Sequence, residues 1–379
     1  MIVHQREVRY SSDMSDSKTT RAVTVGGRGK TKRITLGGGA PVVIQTMWKE
    51  GIAHLADDDA GRARLVERIA ALEHIGCGVL RFAVPDKESA RSLAAIAADC
   101  TMPLVADIHF DYRLALACLA GPVAAIRINP GNIGRVENVK AVVAACRDAG
   151  AAIRIGVNSG SLPRDIAAAV RDGTMSRAAA LAAAAAREAA ILDALNFSAV
   201  VVSMKSSSVQ ETIAANELFA QQSDIPLHIG VTEAGPLIGG VVKSTIALTA
   251  LLRKDIGATV RVSLSSAPEH EVIAAREILR ETGKRTGGVT IVSCPRCGRE
   301  GFDVHAFVAR WQQELLALEK DITVAVMGCA VNGPGEGRHA DVGITGAGGK
   351  AIIFKRGEIV QTVDEKDADK VFRDVLYSL

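Results

Sequence analysis

Aromatic residues are scarce in this chain, 3% of 379 residues, with two tryptophans and three tyrosines. A core of the size such a length allows must then be built from Ala, Val, Ile and Leu. That disfavours a small sandwich packed on aromatics and favours alternating strands and helices. The same scarcity removes the stacking platforms on which single-stranded nucleic acids are usually held. Charge of one sign is also lacking: the net charge is +3 and the pI about 8.5, far from the basic excess of a dedicated nucleic-acid binder. Nor is there an unbroken apolar run of bilayer length. The longest candidate, AAALAAAAAREAAILDAL from Ala178, is interrupted by Arg187, Glu188 and Asp193 and reads as an amphipathic helix with a small-residue face. The N-terminal stretch MIVHQREVRYSSDMSDSKTTR is polar, without the apolar segment of a secretory leader, and residues 1–21 are expected to be disordered. Seven cysteines, an odd number, argue against a disulfide framework and for a cytoplasmic protein with thiols or metal thiolates.

What is present is a rhythm. From residue 40 onward a short β-branched run, a polar turn and a helical stretch recur: VVIQTM from Val42, VLRFAV from Val79, LVADIHF from Leu104, AIRINP from Ala125, AIRIGVN from Ala152, VVVSMKSS from Val200, LHIGVTEA from Leu227 and TVRVSL from Thr259. Helix-like segments such as ARLVERIAALEHIG and KSTIALTALLRKDIG separate them, several closing on Gly. Eight such units are the count for an α/β protein with a (β/α)8 TIM barrel. A doubly wound sheet rarely needs as many units, and no Gly-rich turn follows Met47. The barrel is expected over residues 22–285. The linker ETGKRTGG leads to a small α+β domain over residues 286–379, with a hairpin turning at Arg356-Gly357 and a last helix from Glu365.

In such a barrel chemistry sits where the strands end. There the runs carry Arg81, then Asp107 and His109, Arg127 and Asn129, Arg154 and Asn158, Ser203 and Lys205, Thr232 and Glu233, and Arg261 and Ser263. Residues two or four apart share a face of a strand, so these sets, adjacent Thr232 and Glu233 aside, are expected to point into the barrel mouth. A single Arg–Asp pair would be an ordinary structural ion pair. Four arginines and a lysine against Asp107 and Glu233 leave cations uncompensated, at several kcal/mol per buried ion. An anion with several charges, a diphosphate or bisphosphate, resolves the imbalance. His109 alone reads as a buried histidine, but its place two residues after Asp107 favours function. Lys205 reads as a phosphate clamp, with a Schiff-base role as the other possibility. Glu233 is a candidate proton donor.

Cys77, Cys100, Cys118 and Cys146 lie among apolar neighbours in barrel helices and read as core filling. Cys294 and Cys297 in CPRCG, and Cys329 in CAVNGPGEG, sit in Gly/Pro-containing turns at metal-site spacing. A zinc site would recruit His339 or His305 as fourth ligand. An iron–sulfur site would use Glu336, which the Gly-Pro-Gly turn can bring back towards Cys329; a carboxylate there is an exchangeable ligand. Spacing alone leaves both open.

Together VADIHFDYRLAL, RINPGNIG, RIGVNSGSL, GVTEAG, RVSL, CPRCGR and CAVNGPGE resemble the 4-hydroxy-3-methylbut-2-en-1-yl diphosphate synthase family, in order from about residue 22 to the last helix. The form resembled is the short bacterial one, a barrel followed directly by the cluster domain. The resemblance implies a [4Fe-4S] cluster on Cys294, Cys297, Cys329 and Glu336. It implies 2-C-methyl-D-erythritol 2,4-cyclodiphosphate as substrate, two electrons from flavodoxin or ferredoxin, and a homodimer in which the cluster domain of one chain covers the barrel of the other. It assigns Arg81, Arg127, Arg154, Lys205 and Arg261 to the diphosphate, with Asn129, Asn158 and Ser263 assisting, and Asp107, His109 and Glu233 to positioning and proton handling. A barrel lyase or transferase on a phosphorylated substrate, with a structural zinc domain, is the alternative. One stretch departs from the family's pattern. After the first strand the chain has IQTMWKEG, which puts Trp48, Lys49 and Glu50 on a loop expected to border the barrel mouth.

Overall fold

The computed structural model describes residues 19–158, Gly160, 162–295, 301–329 and 333–379, with the side chain of Glu336 outside that description. The expectation of disorder for residues 1–21 falls mostly outside the described residues; of that stretch, Arg21 is ion-paired to Asp224. The chain divides into two compact units, one of residues up to 70 with 77–284, the other of residues 71–76 with 285–379.

The first unit opens with an antiparallel hairpin that the strand count above did not include, β1 (Val23–Gly26) and β2 (Arg33–Leu36). Then come β3 (Val43–Met47), α1 (Asp59–His74), β4 (Val79–Ala83), α2 (Lys87–Asp99), β5 (Leu104–Asp107), α3 (Tyr112–Leu119), β6 (Ala125–Ile128) and α4 (Val136–Ala149). There follow β7 (Ala152–Asn158), α5 (Arg164–Arg171), α6 (Arg177–Ala194), β8 (Val200–Lys205), α7 (Val209–Gln222), β9 (His228–Ile229), α8 (Leu237–Leu252), β10 (Thr259–Val260) and α9 (Pro268–Glu281). All pairings among β3–β10 are parallel, in the order β8-β7-β6-β5-β4-β3-β10-β9, and a bridge from Val202 to Leu227 closes the ring. This is the TIM barrel. Its strands are buried on both faces, as near-continuous β-branched runs require. The hairpin plugs its N-terminal end: Val23, Val25 and Leu36 pack on Val79, Val105, Ala125, Ala152 and Val201, at the starts of the barrel strands. The alternation in VTVG and RITL around a Gly-rich turn was the signal for it.

Helix starts follow local chemistry. Asp86 accepts from the Ser89 N–H, Asp111 from Arg113, Ser176 from Ala179 and Ser208 from Glu211, each an N-cap worth about 1 kcal/mol. The C-terminal end of the barrel is therefore set by rigid strands and capped helices, and the polar residues sit on the strands' last residues and in the turns just after them.

In the second unit β11 (Thr290–Ser293), α10 (Val304–Ala317), β12 (Thr323–Val326), α11 (Gly333–Glu336), β13 (Val342–Ala347), β14 (Lys350–Lys355), β15 (Glu358–Asp364) and α12 (Ala368–Tyr377) follow in order. They build a five-stranded sheet in sequence order, parallel over β11–β13 and antiparallel over β13–β15. The β14–β15 turn places Arg356 and Gly357 at φ +49° and +86°, as a tight hairpin turn requires. The core beneath gathers several of the chain's few aromatics: Phe307 lies 5.1 Å from Phe372 edge-on, and Trp311 4.9 Å from it.

Trp48 is not at the mouth. It is 5% exposed, stacked on Phe82 with centroids 6.0 Å apart, with the Arg68 guanidinium 4.4 Å above its ring. The residue extends the pairing of β3 with β4 through its N–H to Arg81 O, which turns the indole into the strand–helix layer. Glu50 is bonded to Arg68 on the same side.

Candidate active site

The C-terminal ends of the barrel strands enclose a cavity of about 220 Å3 lined by Arg81, Asp107, His109, Arg127, Asn158 and Lys205, with Ser203, Thr232, Arg261 and Ser263 completing its wall. Alternation along parallel strands is what turns these side chains inward. Among the described residues Asp107 is the one carboxylate in that lining. Its Oδ1 accepts from Arg127 Nη1 at 3.0 Å, its Oδ2 lies 3.5 Å from Arg81 Nε, and His109 Nε2 is 3.6 Å from Oδ1. Burial would raise its pKa, but Arg81, Arg127 and Arg154 outweigh burial and hold the carboxyl below its ordinary value. Burial lowers the pKa of Arg81 to about 10, against the pull of Asp107 and reinforced by Arg261 and Arg127, so the group stays charged near neutrality.

Gly156 is what lets Arg127 lie there. A Cβ on that residue would stand 2.2 Å from Arg127 Nε, and its carbonyl accepts from Nη2 at 3.2 Å. Gly230 has φ +158°, and a Cβ there would meet Arg261 O at 2.3 Å and Lys205 Nζ at 3.3 Å. Both glycines give cations room.

Other predicted residues fall elsewhere. Arg154 lies beneath the mouth, lining a separate cavity of about 30 Å3 with Gln45, Val79 and Thr259. Its Nη1 donates to Gln45 Oε1 at 2.6 Å, while Nε and Nη2 are buried without a partner. Burial first, then Arg81 and Arg127, push its pKa well below the ordinary value. Arg154 thus contributes positive field from below instead of lining the wall. Asn129 is buried but caps the 3-10 turn Pro130–Asn132 through Gly131 N–H. Glu233 is exposed, outside the lining, and holds φ +50°, a left-handed conformation uncommon for a residue other than glycine.

Gln45, His228 and Glu271 were not predicted. Glu271 of α9 is 1% exposed and gathers four donors: Thr46 Oγ1 at 2.6 Å, Lys49 Nζ at 2.6 Å, Leu264 N–H at 2.9 Å and Arg261 Nε at 3.3 Å. Burial opposes its ionisation, yet Arg261 and these hydrogen bonds hold its pKa below the ordinary value. The charge of Lys49 is spent on this carboxylate. Lys205 Nζ lies 2.9 Å from His228 Nε2, and His228 Nδ1 is hydrogen-bonded to Thr259 Oγ1. His228 shares the inward parity of Thr232, and Glu271 shares the buried face of α9 with Ala275 and Ile278. Those were the available signals.

A barrel mouth rich in cations, on a chain with a second unit of this pattern, also matches known sequences. The GcpE TIM-barrel domain model matches residues 20–276 and the GcpE protein C-terminal domain model residues 290–377. The chain belongs to the GcpE family. It is 59% identical over 375 residues to a relative from Treponema pallidum, covering 95% of this chain and 92% of that protein. It is 51% identical over 392 residues to one from Treponema denticola, covering 97% and 100%. Identity to a relative from Bacillus anthracis is 43% over 355 residues, covering 94% and 92%. Each of these is named 4-hydroxy-3-methylbut-2-en-1-yl diphosphate synthase (flavodoxin).

In the GcpE C-terminal unit, β11 and β12 pair in parallel with Ser293 opposite Val326, so Cys294 and the turn carrying Cys329 leave the same end of the sheet. Cys294 N–H donates to Val326 O at 3.2 Å, and Cys294 Sγ accepts from the Gly328 N–H at 3.0 Å. An amide aimed at sulfur suits a thiolate, the form that ligates metal. Cys294 and Cys329 are half-buried. By contrast Cys118 and Cys146 are buried with their thiols pushed up to about 12 by desolvation, as core filling demands. Cys297 lies outside the described residues, and Glu336 is known only as the last residue of α11. His339 Nε2 is bonded to Arg338, and His305 is exposed on the first turn of α10.

Proposed function

We propose that this chain converts 2-C-methyl-D-erythritol 2,4-cyclodiphosphate to 4-hydroxy-3-methylbut-2-enyl diphosphate by reductive ring opening and loss of a hydroxyl as water, in isoprenoid precursor biosynthesis. It is an oxidoreductase of the kind its relatives' name describes, and flavodoxin, which that name specifies, is the electron donor proposed over ferredoxin. One observation carries the reading of the barrel. Arg81, Arg127, Lys205 and Arg261 line a cavity of about 220 Å3 that holds, among the described residues, a single carboxylate, Asp107. A diphosphate supplies the missing negative charge and matches guanidinium forks bidentately.

Arg127, held by Asp107 and Gly156 O, and Arg261, held by Glu271, present their remaining N–H groups to the diphosphate. Lys205 binds from the opposite strand, Arg81 from beside Asp107, and Asn158 and Ser263 donate to or accept from the ligand's oxygens. Asn129 assists by fixing the turn after β6, and Arg154 by its field. His109, with Asp107 as its counter-charge, holds a proton beside the sugar-derived carbons. Glu233, on a loop in a strained conformation, is the proton donor that reaches the departing hydroxyl. Cys294, Cys297, Cys329 and Glu336 hold a [4Fe-4S] cluster, Glu336 being the exchangeable ligand. The sulfur-directed amide at Cys294 supports that fit. When bound, the cluster supplies two electrons, one at a time, and a Lewis-acidic iron.

The protein works as a homodimer in the cytoplasm. The six described cysteines form no disulfide with one another, which suits a reducing compartment. Exposed Ile238, Val242 and Ile246 form a stripe on α8 suited to burial against a second copy. Among the described residues no helix is long and apolar enough to cross a membrane.

Anaerobic purification followed by iron and acid-labile sulfide assay and EPR, with and without the cyclodiphosphate, tests the reading. About four iron and four sulfide per chain, with a reduced-state signal that changes on adding substrate, is the expected result. One zinc, no sulfide and no colour would overturn it and leave a barrel lyase with a structural zinc.

A further inference from the structure

Lys205 is the cation of the mouth whose situation is least like that of an ordinary ammonium. It is 7% exposed, and its hydrogen-bond partner is a histidine, not a carboxylate. His228 is 1% exposed and bonded on its other nitrogen to Thr259. Among the described residues the charged groups with the largest effect on Lys205 are cations, Arg261 beyond β10, Arg154 on β7 and Arg81 on β4, followed by Glu271. Glu271 on α9 is already shared among Thr46, Lys49, Leu264 and Arg261. Asp107, on the far side of the mouth, is bonded to Arg127 of the next strand. Glu211 on α7 is turned to Ser206 and Arg177.

We propose that Lys205 rests in the free protein as an uncharged amine accepting a hydrogen bond from His228 Nε2–H, and takes up a proton from solvent when a diphosphate enters the mouth, His228 exchanging tautomer as it does so. The chain Lys205–His228–Thr259 can run in either direction. In the free protein the Thr259 hydroxyl donates to His228 Nδ1, and Nε2–H donates to the amine. With the anion bound, the ammonium donates to Nε2 and to a phosphate oxygen, Nδ1–H donates to Thr259 Oγ1, and the added proton stays on Lys205. Each nitrogen and oxygen keeps its hydrogen bond in both states, which is what a buried polar chain requires. Burial, then Arg261, Arg154 and Arg81, hold the lysine well below its ordinary pKa. The same forces, burial leading and Lys205 next, keep His228 from becoming a second cation. His228 is thus a positioning residue that prevents the mouth from repelling itself before substrate arrives.

The inference rests on the reading of the mouth as a diphosphate site, and the test separates the two. Inorganic diphosphate is titrated into the full-length holoprotein by calorimetry, in two buffers of equal pH and different ionisation enthalpy. Wild type is compared with Lys205→Arg, whose guanidinium is charged throughout, so that proton changes on the ligand cancel. The wild type is expected to take up about one proton more per diphosphate than the variant. Its affinity is expected to fall with rising pH more steeply, by up to about tenfold per unit. Should the arginine variant fail to fold or bind, imidazole 15N shifts in the wild type decide, assigned by their loss in His228→Gln. Diphosphate should move the proton from Nε2 to Nδ1. Binding with equal proton uptake, or with an unchanged tautomer, overturns the inference alone. No binding at all overturns the diphosphate reading and the inference with it.

Discussion

The two sides of the barrel mouth hold their basic groups by different means. On one side Arg81 and Arg127 converge on Asp107, a buried carboxylate supplied by the neighbouring strand. On the other, Arg154 leans on the neutral amide of Gln45 and Lys205 on neutral His228. A cation paired with a carboxylate is part of the fold, because either partner alone would be a buried charge. A basic group held by neutral groups gains little from folding: Lys205, which lines the mouth, is thereby open to an incoming anion, and Arg154 adds its field from below. Arg261, tied to a Glu271 that it shares with Lys49, stands between the two cases.

Substitutions should break this comparison in order of size. Arg127→Met leaves Asp107 without its shorter ion pair and is expected to cost about 3–5 kcal/mol of stability in denaturant unfolding, with diphosphate binding lost as well. Glu271→Gln keeps the shape but removes the charge that orients Arg261 and Lys49. A loss of about 1–3 kcal/mol is expected, with KM rising more than kcat falls. The acid limb follows from the two carboxylates. Both have folded pKa values below their ordinary ones, so their contribution is complete above about pH 4–5 and is lost as pH falls through the depressed values. Circular dichroism at falling pH should therefore show Asp107→Asn less stable than wild type near neutrality and less sensitive to acid. Glu233→Gln, exposed and outside the lining, should change stability by less than about 0.5 kcal/mol while lowering kcat by about 10²-fold or more. Equal loss of stability and activity there would remove it as proton donor.

The paired side of the mouth was the legible one. Asp107, His109 and Arg127 sit at strand ends two residues apart or on adjacent strands, so period-2 alternation was enough to aim them inward. The barrel itself was legible for the same reason, since β-branched runs separated by helices admit few other folds. Glu271 was not, because it reaches the mouth from a helix after the last strand, where strand parity says nothing. Depth was not legible either: Arg154 and Asn158 share parity, but four residues along a strand is about 13 Å, enough to drop Arg154 into the layer below. Gly156 and Gly230 look like ordinary strand residues until the space their missing Cβ leaves to Arg127 and Lys205 is measured. Trp48 was misplaced because a loop position after a strand says nothing of which way the indole turns; Phe82 and Arg68 enclose it away from the mouth.

The most direct test of the difference between the two sides is the unfolding stability of Lys205→Met beside wild type, each measured with and without inorganic diphosphate. Without the anion the variant should be at least as stable as wild type, because a buried amine whose hydrogen-bond partner is a neutral histidine has been replaced by an apolar chain. With the anion, wild type should gain clearly and the variant much less. A variant that is several kcal/mol less stable without diphosphate, and that gains as much as wild type with it, would contradict the idea that this side of the mouth is held ready for the ligand's charge.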